Sequence, residues 1–568
     1  MDTNTFWRKG GLALASSVIC SLTLINAHAA SSTTTYTPRV YPAGATLNVT
    51  DLPPSALRTK IESLPNTKAQ NALNCLKSFT FTELDVPYLR VDPNGGIYVA
   101  DTNMPPPPTV NPVNSLTNQL FTNPSTQALT SAETCSLHSK PGASNVIYLD
   151  FNGHTVTGTA WNTSYGITSW NATPFDADGI PSSFNTTELD TIASVWRRVA
   201  EDYAPSDVHV TTEDPVNLGP TVGRVLITPN KDSAGKLLPE GGTAAGVAYV
   251  GVWGYSYYPT SYSPAFVYSN IQYNRADFIA EAVSHEMGHN FGLSHDGTST
   301  KGYYGGHGSG YVNWGPIMGT CYNMNVCQWS KGEYTGANNK QDDLGIISGK
   351  LTTRLDDHGN TAASATNLAV SATGVITTTT PQLDPANTNP SNKGIITSAT
   401  DVDVFTFETS GGAITLNAMP AREAALSRGG NLDIHLVLTN SAGQTLAEND
   451  PLTDTNASIN TTVSAGRYYL SVEGVGNTVT PYTDYASIGQ YFISGNVPPG
   501  NSNTDITPDA FTFADQTDVA RSSAIVSAPI TITGINTAAP ISITGGEYSI
   551  NGGSYTATTG TVPNNGTI

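Results

Sequence analysis

The chain has 568 residues, of which 45 are acidic and 25 basic, giving a formal net charge of −20 with only 12% charged side chains. That balance excludes a nucleic-acid partner, because nothing in it would neutralise phosphates. At roughly 150 residues per domain the length predicts about three or four domains, and the hydrophobic content suits soluble cores.

Residues 1–29 read as a signal peptide. Arg8 and Lys9 precede an apolar stretch over 12–25, and Ala27-His28-Ala29 offers a small-x-small cleavage site. Cys20 would suit lipid attachment, but the large Ile19 precedes it where a small residue is wanted. No later run reaches about 18 apolar residues, so no membrane span is expected. Cys75, Cys135, Cys321 and Cys327 remain after cleavage. An even count in an oxidising compartment suggests two disulfides, and the short spacing of Cys321 and Cys327 favours a local staple, leaving Cys75 with Cys135; buried thiols are the alternative.

Residues 30–140 are rich in Thr, Ser, Asn and Pro, with a helical patch over 55–76 and a proline run at 105–108, and read as a pro-segment followed by an extended linker. Residues 141–350 are more ordered. Val146-Ile-Tyr-Leu149 reads as a buried strand, and Leu189, Ile192, Trp196, Val199 and Tyr203 form the stripe of an amphipathic helix with Thr187 and Asp190 as its capping pair. Strands are expected at 208–212, 224–228 and 246–252, and a second helix near Asn274, so the domain is α/β or α+β. From 358 to 497 short β-prone runs between Gly, Asn, Asp and Pro turns predict an all-β sandwich. A linker at 498–503 leads to a second β-rich segment, 504–568, whose only basic residue is Arg521. It lacks a closing strand and so reads as part of something longer.

Chemistry concentrates in Glu281-Ala-Val-Ser-His285-Glu286-Met-Gly-His289-Asn-Phe-Gly292-Leu-Ser-His295. Residues four apart share one helix face, so His285 and His289 can present two imidazole nitrogens to one metal ion, with Glu286 beside it. Gly292 falls where the helix must end, and its freedom to adopt positive φ lets His295 return as a third ligand. Three nitrogens with an open fourth position describe a catalytic Zn2+ site. A zinc-bound water, with Glu286 as general base, would attack a polarised peptide carbonyl, and Glu286 would then pass the proton to the leaving amine. Surface histidines on an ordinary helix are the bland alternative.

This motif resembles the metzincin zinc metallopeptidases, whose pattern is HExxHxxGxxH, and Asp296-Gly297 is similar to the adamalysin or reprolysin branch. The resemblance implies that Trp314-Gly-Pro-Ile317-Met318-Gly319 is the Met-turn, with Met318 beneath the metal. It also implies that Gly246-Val-Ala248-Tyr249-Val250-Gly251 is the edge strand on which an extended substrate pairs, a role open to any sheet edge with unpaired backbone groups. Pro316 stands where reprolysins carry a cysteine, and Thr320 where astacins carry a tyrosine; Tyr322 is the nearest candidate to approach the zinc or the oxyanion. No cysteine-switch motif is present, leaving Cys75 as the one thiol that could confer latency. Phe175-Asp176-Ala-Asp178-Gly179 opens like a Ca2+ loop without the Glu at its twelfth position, the alternative being a plain Asp-Gly turn.

The 358–497 region resembles the bacterial pre-peptidase C-terminal domain through Asp401-Val-Asp403-Val-Phe405-Thr-Phe407, Leu432-Asp433-Ile434, Ala465-Gly-Arg-Tyr468-Tyr-Leu470 and Tyr485-Ala-Ser-Ile-Gly-Gln-Tyr491. The final segment is similar to immunoglobulin-like repeats of bacterial surface proteins. Together these imply a secreted or surface-exposed zinc endopeptidase acting on proteins or peptides, with attachment to matrix or cell surface through the C-terminal β domains. The alternative is a non-catalytic adhesive protein that retains a metalloprotease-like domain.

Overall fold

The computed structural model describes residues 37–102, 129–421, 429–500, 506–520, 522–535 and 537–568. The expected signal peptide, the proline run, Arg521 and part of the expected 498–503 linker lie outside these residues. The chain from Pro38 to Ile568 is one compact unit.

The 55–76 patch folds as α1 (Ala56–Ser63) and α2 (Asn66–Leu76). The Ser55 hydroxyl accepts the Arg58 N–H at 3.2 Å, satisfying a donor that the first turn would otherwise orphan. Leu57, Ile61, Ala72 and Leu76 bury their side chains with Phe79, Phe81 and Ile97 in a small core. Residues 38–102 are therefore packed, and they contribute two strands, β1 (Leu89–Val91) and β2 (Ile97–Asp101), to the main sheet.

That sheet continues with β3 (Asn145–Asp150), β4 (Val208–Thr211), β5 (Val222–Thr228), β6 (Gly246–Tyr249) and β7 (Ala265–Tyr268), in spatial order β1-β2-β6-β7-β5-β3-β4. The β7-β5-β3-β4 block is parallel, whereas β6 runs antiparallel to both β7 and β2. Every residue of β5 is buried, as expected for a strand covered on both faces.

Helices α3 (Thr186–Asp202) and α4 (Ala276–Phe291) pack on each other, and α4 also packs on β6 and β7. The α3 stripe is buried throughout. Its cap lies two residues before the expected pair: Asn185 Oδ1 accepts the Glu188 N–H at 3.1 Å and Glu188 Oε2 accepts the Asn185 N–H at 2.9 Å. The Asp-Gly turn sets this start, because the Ala177 N–H donates to Glu188 Oε1 at 2.7 Å. α4 is buried on all sides from Asp277 to Phe291, which is why its sequence lacks an amphipathic stripe.

Cys321 and Cys327 are joined as a disulfide, whereas Cys75 and Cys135 are free thiols. The expected second bridge does not form, because Cys75 packs in the N-terminal core while Cys135 follows a short helix (Ser131–Thr134) beside Asn152.

Past residue 358 two sheets share one core. One joins Val402–Thr409 and Ile434–Asn440 to Gly466–Gly474, and the other joins Gly412–Pro420 to Ala457–Val463 and Gly489–Asn496. Phe405, Leu436 and Leu470 of the first are buried with Leu416, Ile459 and Ile493 of the second. The 504–568 segment, expected as a partial immunoglobulin-like domain, shows a single strand pairing among its described residues, Ala539–Ile541 with Gly560–Val562. It has few alternating apolar positions with which to bury a sheet face.

The two-sheet region docks on α3 through buried acids. Glu201 accepts hydrogen bonds from the Gln490 N–H at 3.1 Å and from Gln490 Nε2 at 2.9 Å, and Asn431 Nδ2 donates to Asp202 at 2.9 Å. Burial pushes the Glu201 carboxyl from its ordinary 4.5 up to about 8, against the pull of the Gln490 hydrogen bonds. Between those values the folded protein holds a proton that the unfolded chain has lost, so stability falls as pH rises through this window. We expect Tm to decline from pH 6 to pH 9 and Glu201→Gln to flatten that decline; an unchanged slope in the variant would exclude Glu201 as its source.

Candidate metal centre

The centre is built on the last turns of α4. His285 and His289 lie one turn apart with ring centroids 4.8 Å from each other. At Gly292 the backbone takes φ 110°, and its N–H donates to the carbonyls of Gly288 at 3.1 Å and His289 at 2.9 Å, ending the helix. The chain then reverses and brings the His295 ring to 5.0 Å from His289 and 5.4 Å from His285. Nδ1–H of His285 donates to the Ile317 carbonyl and that of His289 to the Leu293 carbonyl, each at 2.8 Å. A carbonyl only accepts, so each bond places the hydrogen on Nδ1 and leaves the Nε2 lone pair facing the centre.

A fourth side chain reaches the same point from β2. Asp101 Oδ2 lies 3.4 Å from His285 Nε2 and 3.6 Å from His289 Nε2, and Oδ1 lies 3.0 Å from His295 Nε2. Tyr303 donates its hydroxyl to Asp101 Oδ1 at 2.5 Å and sets its ring 4.2 Å from His295. On the far side of His295, Asp85 Oδ1 stands 3.1 Å from Nδ1. One ligand atom from each of Asp101, His285, His289 and His295 falls within 4.8 Å of the others.

This donor set fits a divalent cation. His285 Nε2, His289 Nε2 and Asp101 Oδ2 are buried without a hydrogen-bond partner, and leaving such atoms unpaired costs about 1–3 kcal/mol each. Burial lowers the His289 imidazole to about 4, keeping it neutral as a ligand must be. Burial also disfavours charge on His295, yet the Asp101 and Asp85 carboxylates outweigh it and lift that group to about 9. A cation would take the place of that proton.

Residues 200–296 match the family described as metallo-peptidase family M12B, reprolysin-like. A metallopeptidase domain is present. No curated protein is significantly similar to this chain. Among solved structures, the pre-peptidase C-terminal domain of a collagenase from Bacillus anthracis aligns with 17% identity and a TM-score of 0.16, covering 24% of this chain and 100% of that one.

In the metallopeptidase domain Glu286 is buried next to the histidines, and burial, followed by the Asp101 charge, raises its carboxyl well above the usual range. It lies directly over Gly246, where an added Cβ would sit 2.6 Å from the Glu286 Cδ. Met318 is fully buried beneath α4, and a Cβ at Gly288 would meet its sulfur. Tyr322 lines the cleft with Asp101, His285, Tyr303 and Thr320, its ring 5.0 Å from Phe278.

One expectation is corrected here. The strand of Ala248, Tyr249 and Val250 is not an exposed edge: Ala248 lies opposite Val99, Tyr249 opposite Tyr98, and the Val250 N–H donates to the Ile97 carbonyl at 3.0 Å. Strand β2 of the N-terminal segment covers it. The loop expected to take Ca2+ is held by hydrogen bonds. Asp176 Oδ1 accepts the N–H groups of Asp178, Gly179 and Ile180, Asp178 is taken by Ile180 and Asn185, and both oxygens of the nearby Glu188 accept backbone N–H groups. One ligand atom from each of Asp176, Asp178 and Glu188 lies within 4.8 Å of the others.

Asp101, Asp85 and Tyr303 were not legible as site residues. Asp101 precedes His285 by well over a hundred residues, and the only local signal is an acidic residue closing the strand-like run Ile97-Tyr-Val-Ala-Asp101. Cys75 does not reach the site; burial pushes its thiol up to about 11 within the N-terminal core.

Proposed function

We propose that the chain is a secreted zinc-dependent endopeptidase of the metzincin type, with β-sandwich domains of the pre-peptidase C-terminal kind that attach it to matrix or cell surface. The observation that carries this reading is the convergence of three histidines, two with their Nε2 lone pairs freed by carbonyl contacts, beside a buried glutamate in a domain matching M12B peptidases. Zinc bound by His285, His289 and His295 would supply Lewis acidity, polarising the scissile carbonyl and acidifying water. Glu286 accepts the proton of the attacking water and returns it to the leaving amine. Met318 holds the floor under α4, and the Tyr322 hydroxyl donates to the developing oxyanion.

The adhesive alternative needs no base, and Glu286 is kept buried and in place. The test uses the Asp101→Ala chain, whose centre lacks the carboxylate facing the histidines. It is expected to bind stoichiometric zinc and to cleave casein in a manner abolished by 1,10-phenanthroline. Absence of zinc would overturn the site; zinc without cleavage, in a chain whose metal still takes up a peptide hydroxamate and so is not covered by β2, would favour the adhesive protein.

A further inference from the structure

We propose, on the peptidase reading of this centre, that Asn431 of the two-sheet region is a positioning residue for the metal ligand His285, which it holds from the α4 side and from the Ile317-Met318 turn at once. The two-sheet region thereby belongs to the framework of the metal centre.

Two chains of hydrogen bonds start at Asn431 and end at His285. The first crosses the helices. Asn431 Nδ2 donates to Asp202 Oδ1 at 2.9 Å, and Asp202 Oδ2 accepts at 2.5 Å the hydroxyl of Ser284, the residue before His285 on α4. The second runs through the parallel strand pair Trp314–Pro316 and Val326–Gln328. Gln328 Nε2 donates to the Asn431 carbonyl at 2.5 Å, Gln328 Oε1 accepts the Trp314 indole N–H at 2.7 Å, and the Gln328 carbonyl accepts the Ile317 N–H at 2.9 Å. The Ile317 carbonyl in turn takes the Nδ1 hydrogen of His285. A cross-link joins the two routes, because the indole of Trp329, next in sequence to Gln328, donates to the Asp202 carbonyl at 2.9 Å. Asn431, Asp202, Ser284 and Gln328 are all buried. Water therefore cannot replace a lost bond, and removing the Asn431 donor leaves a carboxylate oxygen unpaired in the interior, so that Asp202 and the Ser284 hydroxyl it holds must shift. Groups one step behind a metal ligand fix its ring orientation and set metal affinity. A region tethered only as a passenger would meet its neighbour through exposed side chains, whereas this junction is sequestered and ends on the residue that faces the metal.

The test measures zinc affinity, by competition with a chromogenic chelator, and the visible d–d spectrum after cobalt substitution. It uses the full chain with Asn431→Ala, with Ser284→Ala and with both. Each single substitution is expected to weaken zinc binding about 10-fold and to alter the cobalt spectrum. The double variant is expected to lose little more than either single one, because both side chains act through Asp202. Gln328→Met keeps the length of the side chain but removes both of its hydrogen bonds, and is expected to give a similar loss by the other route. Unchanged zinc affinity and cobalt spectrum in Asn431→Ala, alongside a lower urea midpoint, would overturn the proposal, because the bond would then only fasten the two-sheet region; the peptidase reading would stand. Losses that simply add in the double variant would overturn it as well. If Asn431→Ala does not fold, Gln328→Met decides by the same two readouts. A parent chain that binds no zinc would instead remove the peptidase reading.

Discussion

Glu286→Gln, introduced into the Asp101→Ala chain, is expected to lower casein hydrolysis by about 10²–10⁴-fold, the usual contribution of a positioned general base, with zinc content unchanged. The side chain is buried beside the histidines but is not one of the ligand set, so an isosteric amide preserves the centre and removes only the proton acceptor. Gly246→Ala is the companion experiment. A methyl group there would overlap the Glu286 carboxylate, so a side chain that touches no metal ligand should reproduce much of the loss. Parallel assays of kcat/KM and zinc content check both. Retained activity in Glu286→Gln would remove the base assignment, and retained activity in Gly246→Ala would show that the carboxylate moves freely.

Trp161→Ala is expected to destabilise the protein by about 3–5 kcal/mol, the range for deleting a large buried aromatic side chain. Trp161 is fully buried, donates its indole N–H to the Pro264 carbonyl at 3.0 Å, and packs at 4.4 Å from Tyr249, 5.0 Å from Tyr98 and 5.6 Å from Phe266. Those partners sit on β6, β2 and β7, so one indole supports the three strands closest to the metal centre. Urea unfolding should show a lower midpoint at a similar slope. A loss under about 1 kcal/mol would mean that the surrounding aromatics collapse into the space.

The local chemistry of the centre was legible in the amino-acid order because it depends on short-range geometry. Histidines four apart must share a helix face, and a glycine after them permits the reversal that returns His295. The α3 stripe, three of the four strands of the parallel block and the Cys321–Cys327 staple are legible for the same reason, each being set by a local period or a short loop, whereas β7 was not expected. The α3 cap was misplaced because Asn185 and Thr187 are both competent caps, and the choice between them rests on the contact of Glu188 with the Ala177 loop. The second disulfide and the exposed edge at Ala248, Tyr249 and Val250 were both expected, and both depend on where residues 38–102 pack. Nothing in a strand's own residues says which neighbour it will pair with, since backbone groups are the same everywhere and register is settled by burial. The pairing of Asp101 with Gly246 is a long-range event of that kind. Composition and spacing could therefore establish that this chain builds a three-histidine centre with a glutamate beside it, while the carboxylate that faces those histidines came into view only once the N-terminal segment was folded against the sheet.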